Sequence, residues 1–208
     1  MRAPDVRLEG ERIIIRPLTR EDLRMMSRWP RFQDPLYRLF DWPKRSETSD
    51  DLWFHQLMRD KARVYYAVDN EANELIGRIS LREIDGQRSA RLGIGFGPDY
   101  VDQGYGTEAL QVFLEYFFSD LGFERMVLDV AAANQRALRC YKRCGFRSVA
   151  SHYQYAGSDG ELLFLREKRY YHLQRFFKKD RYRTTMLAYD MELKRQDWLA
   201  QQQADRTP

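Results

Sequence analysis

The chain has 208 residues, a net charge of +4, 43% hydrophobic residues and 14% aromatic residues. This length suits one domain, or one domain with an elaboration, and the composition excludes a disordered polypeptide. There is no apolar run of the ~20 residues that a membrane span needs and no signal-peptide core, so we expect a cytoplasmic protein. The cysteines, Cys140 and Cys144, lie four residues apart without a His or Cys cluster, so we expect a reduced pair and no metal site.

The predicted elements alternate between strands and helices. A strand over 7–17 precedes a helix that starts near residue 20 with Thr19 as N-cap. Ser49 is the predicted cap of a second helix, which ends near Arg59. The later predictions, in chain order, are strands over 63–69, 74–83 and 89–97, a helix over 105–121, a strand over 125–131, a helix over 135–144, a strand over 146–155 and a last strand over 185–193.

A glycine-containing turn joins the strand over 89–97 to the helix over 105–121. Its sequence is Gln103-Gly104-Tyr105-Gly106-Thr107. The N–H groups of a helix N-terminus point outward and the helix dipole adds positive charge there, so the turn suits a pyrophosphate. A Cβ at Gly104 or Gly106 would hinder both the backbone dihedrals and the approach of phosphate. The alternative is an ordinary turn.

A second motif begins at Asn134, the predicted N-cap of the helix over 135–144. The apolar residues of this helix recur on one face: Ala137, Leu138, Tyr141 and Cys144. Gly145 supplies a left-handed stop, and Phe146 then begins a strand. Tyr141 therefore lies on the apolar face of a capped helix, where core packing is the ordinary interpretation.

Together the two motifs resemble the GCN5-related N-acetyltransferases. Gln103 and Gly106 match the acyl-CoA loop of that family, and 134–146 matches its Asn-x-x-Ala-x-x-x-Tyr-x-x-x-Gly-Phe helix. Glu108 stands where the family signature has a small residue, and this variation resembles the branch of the ribosomal-protein N-terminal acetyltransferases. The resemblance covers roughly residues 6–155 and a final strand.

The resemblance implies an α/β (α+β) fold, with a single mixed, mostly antiparallel sheet that splays in the middle and helices on both faces. It implies one acetyltransferase domain over 1–208. The implied function is acetyl transfer from acetyl-CoA, without a metal, to a primary amine of a protein N-terminus or a small molecule, by direct attack. The competing function is a non-catalytic acyl-CoA sensor or an RNA- or ribosome-binding adaptor on the same fold.

The resemblance also assigns roles to residues. Ile94, Gly95 and Phe96 would pair with the pantetheine arm and offer N–H groups to the oxyanion. The remaining cofactor-binding residues would be Gln103, Gly104, Tyr105, Gly106, Thr107 and Asn134. Tyr141 matches the general acid that protonates the departing thiolate, and it would also contact the cofactor. Glu83, at a strand end, is the first candidate base, and a solvated glutamate is the alternative.

Residues 156–183 form an insertion before the last strand. Its 165–183 segment holds eight basic and two acidic residues, interleaved with aromatic ones. One interpretation is an amphipathic helix packed through Tyr170, Leu173 and Phe177. A second is a lid or a homodimer element. A third is a surface for RNA or the ribosome, because basic and aromatic side chains together suit phosphate contact and base stacking.

Overall fold

The computed structural model describes residues 6–60 and 62–205, and its strands in that part of the chain form one sheet. The strands are β1 Leu8–Glu9, β2 Ile13–Pro17, β3 Val64–Asn70, β4 Leu75–Asp85, β5 Ser89–Phe96, β6 Arg125–Ala131, β7 Arg147–Gly157, β8 Phe177–Lys179 and β9 Thr184–Lys194. Their order is β1-β2-β3-β4-β5-β6-β9-β7, and β8 pairs with β9. Every pair is antiparallel except β5 with β6.

The α-helices are α1 Arg20–Arg28, α2 Pro35–Arg38, α3 Glu47–Arg59, α4 Tyr105–Glu115, α5 Gln135–Arg143 and α6 Arg195–Asp205. Thr19 caps α1 as predicted. The predicted cap of α3 was wrong: Ser46 is its N-cap, and the Ser46 hydroxyl accepts the Ser49 N–H at 3.3 Å. No helix in the described ranges combines the length and apolar character required to cross a lipid bilayer.

The sheet splays between β5 and β6. Their parallel pairing runs from Ser89 opposite Arg125 only as far as Arg91 opposite Val127. Beyond this point β5 stays paired with β4 up to Phe96, and β6 stays paired with β9 up to Ala131. One edge of β5 therefore faces an open gap. The predicted mixed, mostly antiparallel sheet with a central splay is confirmed.

Helices cover both faces of the sheet. On one face, α4 buries Leu110, Phe113 and Leu114 against strand residues such as Ile15 and Tyr66. On the other face, α1 and α3 pack against the sheet through the cluster Leu18, Leu23, Met26, Leu57, Ala67 and Leu75. Burying each large apolar side chain contributes roughly 1.5–3 kcal/mol, so both layers hold the sheet in place around its gap.

The predicted helix over 105–121 changes geometry at Tyr116. A π-helical turn covers Tyr116–Asp120, and the Leu121 N–H donates to the Tyr116 carbonyl at 2.9 Å. The wider turn lets three consecutive aromatic residues, Tyr116, Phe117 and Phe118, all be buried. A regular α-helix turns each successive residue by 100°, which would direct one of them toward solvent.

The insertion differs from the predicted amphipathic helix. It contains two 3₁₀ helices, Leu163–Arg166 and Lys168–Phe176, followed by β8. Tyr170 and Leu173 are buried as expected, whereas Phe177 is only half-buried at the start of β8. The sequence also did not predict α6, whose Trp198 packs on Phe118 with ring centroids 5.4 Å apart.

Candidate active site

A cavity of about 550 Å³ lies where β5 and β6 diverge. Three elements supply most of its lining: β5, the start of α4, and α5. Of the residues predicted for the site, those that line the cavity are Ile94, Gly95, Phe96, Gly104, Gly106, Thr107, Asn134 and Tyr141. Residues that are distant in sequence, from two separate motifs, therefore meet at one cleft.

The end of β5 is the strand edge that faces the cleft. A Cβ placed on Gly95 would meet no atom within 4 Å, so the space above this residue is open. Gly77 on the neighbouring strand gives room to the Phe96 ring, which a Cβ there would approach to 2.5 Å. Because β6 has turned away, the polar backbone groups on this edge have no strand partner and are available to an extended ligand.

The glycine turn ends in the first turn of α4. Gly104 is the N-cap with φ +90°, and it has no side chain that could cap the helix. The first N–H groups of α4 are therefore left for another acceptor. Gly106 has no positive φ, and a Cβ there would lie 3.5 Å from the Phe96 ring, an ordinary contact. The prediction that a glycine is needed for its backbone dihedrals is correct for Gly104 and wrong for Gly106. At Gly106, the close approach of a ligand is the remaining reason to expect a glycine.

Glu108 has a structural role that accounts for its departure from the family signature. Its carboxylate accepts the Arg12 backbone N–H at 2.6 Å and the Arg12 Nε at 3.0 Å. Arg12 also donates to the Gln103 carbonyl at 3.1 Å and lies 4.7 Å above the Tyr105 ring. An acidic residue in the first turn of a helix is favourable to its dipole. Glu108 thus ties the glycine turn to the β1–β2 turn.

The side chains of Gln103 and Tyr105 do not line the cavity. The Gln103 amide donates to the Asp99 carbonyl at 2.6 Å, and the Tyr105 ring lies under Arg12. Both side chains are therefore used to hold the turn. Only their backbone N–H groups remain as candidates for a phosphate contact.

Three arginines of α5 line the cavity and were not predicted as site residues: Arg136, Arg139 and Arg143. The sequence could have predicted them from their i, i+3, i+7 spacing, because this spacing places side chains on one face of a helix. Arg136 pairs with Asp102 at 3.3 Å and stacks 4.1 Å from the Tyr37 ring centroid. This basic face suits a ligand that carries several phosphates.

Tyr141 is the buried phenol of the cavity, with 8% of its surface exposed. Burial raises the pKa of Tyr141 well above its usual value, and Cys140 and Asp129 raise it further while Arg78 opposes them. The phenol therefore keeps its proton at neutral pH. Asn134 holds the start of α5, since its side-chain oxygen accepts the Ala137 N–H at 3.1 Å.

The structure does not bring Glu83 to the cavity. A bulge follows Arg82, Glu83 has φ +52°, and its side chain is 61% exposed. Its carboxylate instead accepts the Arg91 Nε at 2.7 Å. Because Glu83 is absent from the cavity lining, its assignment as the base has no geometric support.

Cys140 on α5 and Cys144 at its C-cap are free thiols, and the Thr107 hydroxyl lies 3.5 Å from the Cys140 sulfur. Within residues 6–60 and 62–205, no group of three or more His, Cys, Asp or Glu side chains could hold a metal ion. The groups that line this cleft and could take part in chemistry include backbone N–H groups, arginines, the Cys140 thiol and the Tyr141 phenol.

Comparison with known proteins identifies the family. Residues 12–147 match the family model described as the acetyltransferase (GNAT) domain. The chain belongs to the GNAT acetyltransferase family. This GNAT protein is 27% identical over 138 residues to a spermidine N(1)-acetyltransferase of Vibrio cholerae, an alignment that covers 66% of this chain and 80% of that relative.

Solved structures agree with this fold. The crystal structure of a Vibrio cholerae spermidine N-acetyltransferase in complex with CoA and spermine matches with a TM-score of 0.66 and 23% identity, over 90% of this chain and 98% of that one. A GCN5-related N-acetyltransferase from Brucella melitensis matches with a TM-score of 0.68 and 22% identity, over 96% and 83%. The family prediction is confirmed, and the chain is an acyl-CoA-dependent N-acetyltransferase. The predicted ribosomal-protein branch gains no support, because the named relatives are spermidine N-acetyltransferases.

Proposed function

We propose that this GNAT enzyme transfers the acetyl group of acetyl-CoA to the primary amine of a small molecule by direct attack. One observation carries the proposal: a single cleft joins an unpaired strand edge, an uncapped helix N-terminus and a buried, protonated phenol. These are the three groups that a thioester aminolysis needs, namely an oxyanion donor, a phosphate anchor and a proton source.

The cofactor would lie along β5 and over the start of α4. The backbone groups of Ile94 and Phe96, which face the gap, would pair with the pantetheine amides, and the N–H groups around Gly104 and Gly106 would bind the pyrophosphate. Arg136, Arg139 and Arg143 add guanidinium groups for phosphate oxygens. The sum of these contacts supports an anionic cosubstrate with an extended, hydrogen-bonding arm.

The chemistry would proceed in one covalent exchange. The amine nitrogen attacks the thioester carbon, and β5 N–H groups stabilise the charge that develops on the carbonyl oxygen. The C–N bond forms, the C–S bond breaks, and Tyr141 gives its proton to the departing sulfur. The attacking nitrogen loses its extra proton to solvent water, from which Tyr141 is reprotonated.

The acceptor is proposed to be a small molecule because aromatic residues form part of the cavity lining. Phe32 and Phe40 line it, and Arg136 stacks on the Phe32 ring at 5.2 Å. The named relatives support the same class, since spermidine is a small amine. A protein N-terminal amine is the remaining alternative.

Thiol release from acetyl-CoA, measured against a panel of small amines and N-terminal peptides, tests the function. We expect turnover on a small amine and a calorimetric CoA affinity that Gly104→Ala weakens. An acyl-CoA sensor would bind CoA without accelerating thiol release on any amine or peptide. Preferred turnover of peptides over all small amines would contradict the acceptor class.

A further inference from the structure

Arg78 is a cation in the cavity for which the described residues supply no anionic partner. It lies on β4 opposite Gly95 and lines the cavity close to Tyr141. Its side chain makes no hydrogen bond or ion pair within the described chain; the guanidinium instead stacks 4.8 Å from the Trp42 ring centroid. Burial lowers the pKa of Arg78. Arg78 is half-buried, and a cation that lines a cavity without an anionic partner is a candidate for contact with an anionic ligand.

The side chain stacked under Arg78 has a hydrogen-bond donor without an acceptor. The Trp42 Nε1 is buried and has no hydrogen-bond partner. Arg45 stacks on Trp42 and Trp53 at 5.4 and 5.3 Å, and its Nη1 lies 4.0 Å from the buried Asp50 carboxylate. Of these side chains, Arg78 is the one that lines the cavity, and a carboxylate is the simple group that would accept from its guanidinium.

The same charges argue against a polyamine acceptor. Four arginines line the cavity, Arg78, Arg136, Arg139 and Arg143, and Asp102 is the one carboxylate among the described lining residues. Asp102 is already paired with Arg136 and lies beside the glycine turn, where phosphates are proposed to bind. A second ammonium group placed near Arg78 would be repelled by its guanidinium.

We infer that the acceptor carries a carboxylate on the same small molecule as its amine, and that Arg78 binds this carboxylate. The inference deepens the proposed function and rests on it. Binding the carboxylate against β4, directly across from Gly95 of β5, would hold the amine on the acetyl side of the cleft. Arg78 is thereby a residue that determines acceptor specificity.

The test uses matched acceptors and two variants. The acceptors are amino acids with a free carboxylate, the same amino acids as amides, and spermidine. The variants are Arg78→Met and the control Arg82→Met, which removes a charge from the same strand but one that already pairs with Asp129 at 2.9 Å. Thiol release gives kcat/KM, and calorimetry on the CoA-loaded protein gives the affinity for each compound without any need for turnover.

We expect the free carboxylate to be preferred over its amide by at least about tenfold in the wild type and the control, and Arg78→Met to abolish this preference while CoA affinity stays unchanged. Equal affinity for acid and amide, a preference for spermidine, or retention of the preference in Arg78→Met would overturn the inference. If the carboxylate-dependent binding is present but no compound releases thiol, the proposed function fails and the Arg78 site stands.

Discussion

At the scale of single residues, Tyr141 and Glu83 are two titratable side chains whose environments point to opposite roles. Tyr141 is buried, and burial keeps it protonated, while Glu83 is exposed and paired with Arg91. We expect Tyr141→Phe to lower kcat by about 10²-fold or more, since general acid catalysis contributes ~10²–10⁴-fold, with little change in acetyl-CoA affinity. Glu83→Gln is the matched control and should leave kcat within about threefold. Steady-state kinetics on the preferred amine decide this; a kcat for Tyr141→Phe near that of wild type would make the phenol a core residue.

Also at this scale, Gly104 and Gly106 are predicted to respond with opposite signs to the same substitution. Alanine at Gly104 would have to adopt φ +90°, which costs about 1–2 kcal/mol, so thermal stability should fall. Alanine at Gly106 fits ordinary helical dihedrals beside Phe96, so the free protein should gain about 0.5–1 kcal/mol. Both variants should bind CoA more weakly. Calorimetric melting and CoA titration measure the two effects separately, and stabilisation by Gly104→Ala would contradict the left-handed turn.

At the scale of secondary-structure elements, a charged triad joins β2, β3 and α1. Arg16 donates to Asp22 at 2.7 Å and to Asp69 at 2.6 Å, and these carboxylates are only 3% and 9% exposed. Burial opposes the ionisation of Asp22, but hydrogen bonds from Arg16 and Thr19 outweigh it and hold the pKa of Asp22 below its usual value. Burial raises the pKa of Asp69 against the opposing contacts from Arg16.

Arg16→Met should therefore destabilise the fold by about 3 kcal/mol at neutral pH, because it leaves two buried carboxylates without a cation. Both carboxylates would then have folded-state pKa values above their unfolded values. Such groups contribute stability at low pH, and this contribution is lost as the pH rises through the folded-state pKa. The difference in unfolding free energy between wild type and Arg16→Met should therefore shrink toward pH 4. Denaturant unfolding of both proteins between pH 4 and 7 measures this difference. A deficit that is constant with pH would mean that the variant acts through packing alone.

The elements that the sequence predicted well are those whose signals are local. The caps Thr19 and Asn134 and the left-handed Gly104 act within one turn, so their positions could be read directly. The role of Arg78 could not be predicted from the sequence, because distant residues decide where its side chain lies. These are the strand β5, with which β4 is in register, and Trp42, which lies in a loop 36 residues earlier in the chain. Glu83 was misplaced for a similar reason: a bulge redirects the end of β4, and no residue pattern in the strand indicates it.

At the scale of the whole molecule, the insertion supports the wall of the cleft. Its Tyr170 hydroxyl donates to the Asp34 carboxylate at 2.7 Å, and Asp34 in turn caps α2 by accepting the Leu36 N–H at 2.9 Å. Leu36, Tyr170 and Leu173 belong to one buried cluster. This places the insertion behind the segment that supplies Phe32 and Phe40 to the cavity.

The insertion should therefore affect acceptor binding from a distance, which a pair of adjacent tyrosines can test. Tyr170→Phe removes a hydrogen bond to a carboxylate and should cost about 1.5–3 kcal/mol of stability, while raising KM for the amine more than KM for acetyl-CoA. The neighbouring Tyr171 is 55% exposed, so Tyr171→Phe should change neither quantity. Steady-state kinetics with each substrate varied in turn, together with thermal melting, measure both effects. If the two variants have the same stability and the same KM for the amine, the insertion does not influence the cleft. Its basic residues would then have to be explained by a partner outside this chain.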